Sequence, residues 1–174
     1  NIMPKYGPAW TGAIGSVPRK VGEGEASHLF LNSSTMMFLG LHRFLAYVPP
    51  HTVSRMNLRT CRLALIMDQI SNESSSRRLS YLDHRKTHVE RSLEDPFEAT
   101  ALLLLRGVSC VVMSSLPTVA DSNVGFLSEF LSTLQGGAQV GHAVRVAARS
   151  CVGTDALPFA EYVPVTYGLP DLTS

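Results

Sequence analysis

The groups best suited to covalent chemistry are three thiols, Cys61, Cys110 and Cys151, with six histidines as candidate bases. A thiolate peptidase needs one Cys within hydrogen-bond reach of one His, which takes its proton. His28 and His42 are the candidates for such a base. Thiol–metal chemistry would need clustered ligands. No pair of cysteines has C-x-x-C spacing, so no zinc knuckle is expected. An odd count at wide spacing also argues against a disulfide framework and fits a reducing compartment. His84 and His88 have the i, i+4 spacing of two helix-borne metal ligands. No Cys or third His is near them in sequence, and no metal is expected there. Ser114 and Ser115 precede Pro117 without a G-x-S-x-G elbow, so they read as turn residues. The stretch GAIGSVPRKVGEG is glycine-rich, but no strand precedes it and Pro18 interrupts the helix a phosphate loop needs. No cofactor is expected.

The elements that must position these groups follow from apolar patterning. Residues 62–67 and 108–114 are short continuous apolar runs, as strands covered on both faces require. Met36 to Leu39 suit another strand, and His28 begins a further short one. His42 to Tyr47 suit one or two helical turns, stopped before Pro49-Pro50. Asp95 and Pro96 punctuate a helix start, Glu98 reaches back, and Gly107 ends it. Its four consecutive leucines predict burial on most sides. In ADSNVGFLSEFLSTLQGG, Val124, Leu127, Leu131 and Leu134 form a stripe with Phe130 beside it. Val140, Ala143, Val144 and Ala147 form the packing side of the next helix. AEYVPVTYG closes as a strand, and Pro164 puts it at a sheet edge.

Buried strands alternating with helices predict an α/β fold with a mainly parallel sheet and helices on both faces. In such a sheet, sites form beyond the carboxyl ends of the strands. Cys61 precedes its strand, roughly 20 Å from Asp68 at the other end, at about 3.3 Å per residue. Cys110 lies in the amino half of its strand among valines. All three cysteines therefore read as structural thiols.

The 174 residues are expected to divide into an irregular arm, 1–27, and an α/β domain, 28–174. Within the domain, 71–95 carries five basic and five acidic residues and reads as an exposed loop, with a short helix around 83–91. There RRLS places Arg77-Arg78 ahead of Ser80, a candidate phosphorylation site for a basophilic kinase. The arm holds Tyr6, Trp10 and Ile14, apolar residues without an evident core. They are candidates for docking into a groove of this domain or of a neighbour. Asn1, with no leader segment after it, reads as the start of a piece of a longer chain. The net charge of +1 predicts no nucleic-acid partner, and no apolar run approaches the roughly 18 residues of a membrane span.

Residues 97–149 resemble the C-terminal half of CHAT domains, caspase-like domains often attached to tetratricopeptide arrays. EATALLLLRGVSCVVMSSLPTVADSN, LQGGAQVGHAVRVAAR and EYVPVTYGLP carry the likeness. It extends loosely back to residue 28, which leaves the N-terminal half open to being incomplete. The resemblance implies a caspase-like three-layer α/β/α fold. In that family a His-Gly ends one strand and a Cys ends the next. Here the His-Gly position falls on Leu39-Gly40, and the nucleophile position on Asp68 or Gln69. Both depart from the pattern, so no enzyme is expected. FLGLHRFLAYVPP, NLRTCRLALIMD and LRGVSCVV further resemble the C-terminal region of large tetratricopeptide proteins of the ciliary central apparatus. That likeness implies a structural docking module in the cytoplasm and axoneme, with other subunits of a large complex as partners. Two alternatives stand beside it: an active CHAT-type cysteine peptidase with a rearranged dyad, and a small-molecule-binding α/β domain whose pocket Asp68 and Gln69 would line.

Overall fold

Two five-residue apolar runs form the centre of the sheet. Leu63–Met67 (β2) and Cys110–Ser114 (β3) are buried at every position. Side chains alternate across a strand, so each run feeds both faces. Ala64, Ile66, Val111 and Met113 enter one apolar core, while Leu63, Leu65, Met67, Cys110 and Val112 enter the other. This is a computed structural model, and it describes residues 11–12, 22–68, 70, 77, 80–81, 83–114, 118–151 and 164–172. Tyr6, Trp10, Ile14, Gln69 and Ser115 lie outside the described residues.

The remaining elements are α1 (Glu23–Leu31), β1 (Thr35–Leu39), α2 (Phe44–Tyr47), α3 (Pro50–Val53), α4 (His88–Ser92), α5 (Pro96–Leu105), α6 (Ala120–Gln135), α7 (Val140–Cys151) and β4 (Pro164–Gly168). The sheet order is β1-β2-β3-β4, with β1, β2 and β3 parallel and β4 antiparallel to β3. Residues of α1, α2, α3 and α5 pack in the first core, and residues of α6 and α7 in the second. The fold is therefore α/β, with a mainly parallel open sheet between two helical layers.

Local chemistry explains the ends of these elements. Pro164 opens the edge strand β4, where a missing N–H costs nothing. After β4 the chain returns to cap α7: Leu172 O and Pro170 O accept from the Val140 and Gly141 amides. These are two of the first-turn donors that a helix cannot satisfy itself. Gly168 has φ +90°, and a Cβ there would overlap Ser109 O. Gly168→Ala should therefore cost about 2 kcal/mol, from the left-handed backbone and the displaced β3–β4 pairing. Urea denaturation would show it as a lower midpoint at unchanged slope, and an unchanged midpoint would contradict it.

Several expectations need correction. Residues 28–31 are not a strand but the last part of α1. That helix starts inside the expected arm and buries Ala26 and Phe30, four residues apart on one face. Asp95 has the extended backbone of a cap but makes no side-chain capping bond. Pro96 and Gly107 punctuate the helix as expected. The four leucines of α5 are not buried together: Leu103 is in the core, but Leu105 is 81% exposed. Consecutive residues on a helix point about 100° apart, so one core cannot take them all. In α6 the buried stripe is Asn123, Phe126, Leu127, Phe130, Leu131 and Leu134, and Val124 faces out. The packing side of α7 is the expected one, Val140, Ala143, Val144 and Ala147.

Candidate functional site at the carboxyl edge of the sheet

The parallel strands end together. Leu39 of β1 is in register with Met67 of β2, and the Gly40 amide donates to Met67 O at 3.0 Å. The CHAT resemblance gives the His-Gly position to Leu39-Gly40 and the nucleophile position to Asp68 or Gln69; Leu39 ends β1 and Asp68 directly follows its neighbour β2. Their side chains are a half-exposed Leu39 and a buried Asp68. Leucine has no proton-transfer group, and a carboxylate is a far weaker acyl acceptor than a thiolate.

Asp68 serves the fold instead. Its Oδ2 accepts from the Phe44 amide at 2.8 Å and so satisfies the first amide of α2. Its Oδ1 has no hydrogen-bond partner, although the residue is only 1% exposed. Burial pushes the Asp68 carboxyl up to about 6, against the Phe44 amide, its own amide and the Arg43 charge, which pull it down. His42 is buried two residues beyond Gly40, with its ring stacked on Tyr47 at 6.4 Å between centroids. Ser114 is also buried at this edge. Thr118, beyond β3, donates its hydroxyl proton to Asn123 Oδ1 at 2.9 Å.

The thiols are placed otherwise. Cys61 precedes β2, with its Sγ 3.4 Å from Leu63 O, and Cys110 opens β3 opposite Gly168. Both therefore sit at the amino end of the parallel strands, and burial pushes each thiol up to about 11. Cys151 ends α7. Its Sγ lies 3.6 Å from Ser122 O in the first turn of α6, and burial raises its pKa as well. At pH 8, iodoacetamide should label the half-buried Cys151 first, and Cys61 and Cys110 only on unfolding. Peptide mass mapping against time checks this; early labelling of Cys61 or Cys110 would contradict the placement.

His28 is exposed on α1, the helix before β1. His84 lies in a turn and His88 is the first residue of α4, so they do not share a helix face. Thr87 between them caps α4 in a reciprocal capping box with Glu90. The Thr87 amide and hydroxyl hold the exposed Glu90 carboxyl below its ordinary range. That T-x-x-E signature was present in the sequence, inside a run read chiefly for its charge.

The feature least visible in the sequence is Arg43. Its Nε donates to Glu94 Oε2 at 3.0 Å, and both Nη groups donate to the Asp83 carboxylate. Lys86 pairs with the other oxygen of Glu94. Expected as an exposed loop, the charged stretch is thus pinned at Asp83 and at the buried Glu94 to the residue that precedes α2. Two open surface depressions lie elsewhere, about 300 Å³ beside Arg59 and Arg106 and about 400 Å³ beside Ser27 and Arg55; Asp68 lines neither. Among the described residues, no helix is long and apolar enough to cross a membrane.

With this geometry in place, comparison with known proteins adds one relationship. The chain is similar to cilia- and flagella-associated protein 46 of Chlamydomonas reinhardtii. The two are 31% identical over 109 residues, which make up 63% of the chain. The same stretch is 4% of cilia- and flagella-associated protein 46, so the chain spans a small part of that relative. No protein-family model matches the chain.

Proposed function

We propose that the chain is a non-catalytic structural and docking module of a large ciliary assembly, built on a degenerate CHAT-like domain. The observation that carries this reading is the similarity to cilia- and flagella-associated protein 46. The placement of the chemistry-bearing residues supports it. Leu39, and Asp68 or Gln69, stand where the CHAT resemblance would put a dyad, and Asp68 accepts from the Phe44 amide. Buried thiols with raised pKa values are poor nucleophiles at neutral pH. On this reading the partners are other proteins of the axonemal central apparatus, and the module contributes shape and surface rather than turnover.

The test separates a scaffold from a rearranged peptidase. Cys61→Ala, Cys110→Ala and Cys151→Ala, made singly in the full protein, should leave its incorporation into the ciliary assembly unchanged wherever folding survives. A peptidase activity that disappears with any one of them would overturn the non-catalytic reading.

A further inference from the structure

We propose that Ser80 is a phosphorylation site for a basophilic serine kinase, and that its phosphate loosens the clasp by which Arg43 holds residues 83–94. The acceptor is accessible: Ser80 is exposed and lies in a helical turn, with its carbonyl accepting from the His84 amide at 3.1 Å. The sequence puts Arg77 and Arg78 ahead of it, and Arg77 is exposed. Paired arginines there suit an acidic substrate groove in a kinase. In the reaction, Ser80 Oγ attacks the γ-phosphorus of ATP and forms the new O–P bond. The bond from the γ-phosphorus to the β–γ bridging oxygen breaks, ADP leaves, and the hydroxyl proton passes to the kinase's base.

The consequence follows from where the charge arrives. The clasp is a balanced set of two cations, Arg43 and Lys86, and two carboxylates, Asp83 and Glu94. Asp83 stands three residues beyond Ser80, within one helical turn, where side chains are neighbours. Phosphoserine adds about −1.5 to −2 charge and three acceptor oxygens beside it. The phosphate repels the Asp83 carboxylate and competes for the same Arg43 Nη groups. Both effects act against the Arg43–Asp83 pair. Arg43 directly precedes Phe44, so the release reaches the carboxyl edge of the sheet.

The experiment uses the full 174-residue chain. It is incubated with ATP and a purified serine kinase that prefers two arginines upstream of its acceptor, then mapped by mass spectrometry and followed by hydrogen exchange. Phosphate should appear on Ser80, and Ser80→Ala should abolish that incorporation. Amides of 84–94 in the phosphorylated chain should exchange about fivefold faster. Arg43→Gln without phosphate should reproduce the faster exchange. Failure to phosphorylate Ser80 overturns the site. Phosphate on Ser80 with unchanged or slower exchange in 84–94 overturns the release.

Discussion

Phe44→Ala should cost about 3–5 kcal/mol, the range for emptying a fully buried phenyl site. Phe44 is wholly buried, with its ring centroid 5.9 Å from Phe30 and 5.2 Å from Phe38. It therefore joins α1, β1 and α2 in the core on one face of the sheet. The three rings are tilted or edge-on, an arrangement that adds to the burial term. Its amide is also the donor that Asp68 accepts, so the ring and the backbone anchor α2 at one residue. Denaturation by urea, followed by circular dichroism, measures the loss. Phe44→Leu is the companion variant: it keeps most of the volume and should cost less than half as much. Equal stability of the wild type and Phe44→Ala would mean that this corner does not support the fold.

Asp68 gives a pH dependence whose sign is opposite to that of a carboxylate in an ion pair. Its folded pKa, about 6, lies above the unfolded value of about 3.9. Between pH 4 and 6 the folded chain holds a proton that the unfolded chain has lost. Stability from this group is therefore full below about pH 4 and falls as pH rises through 6, by about 3 kcal/mol in total. Asp68→Asn keeps an oxygen for the Phe44 amide and removes the titration. The stability difference between wild type and Asp68→Asn should shift by about 2 kcal/mol from pH 4 to pH 7, with wild type relatively favoured in acid. Parallel curves across that range would show that Asp68 does not titrate there. Asp68→Ala should be the more damaging substitution at every pH, because it leaves the buried Phe44 amide unsatisfied.

Sequence patterning read the middle of the fold well, for a physical reason. Strands covered on both faces are continuous apolar runs, and helix α5 carries Pro96 and Gly107 at its ends, so β2, β3 and α5 declare themselves locally. Pro164 likewise marks β4 as an edge. Short elements were harder. In α1 the run His28 to Leu31 suits either a strand or a helix, and the deciding contact, Ala26 with Phe30 in one core, is tertiary. Pro50 was read only as a stop, yet it is the first residue of α3, where its missing N–H is harmless. At the candidate site, the departure from a Cys-His dyad at Leu39 and at Asp68 or Gln69 was implied by the CHAT resemblance, not by spacing or patterning. The structural use of Asp68 was not legible, since its partner amide is 24 residues away. Nor was the Arg43 clasp, whose carboxylates are 40 and 51 residues distant.

The most direct measurement of the proposed role is fractionation of cilia from cells that express the full protein with an epitope tag. The cilia are stripped of membrane with detergent, and the tag is quantified in the axonemal pellet and in the soluble fraction. A structural module of the axoneme stays in the pellet, together with central-apparatus proteins. Recovery of the tag in the soluble fraction, or its absence from cilia altogether, would contradict the role.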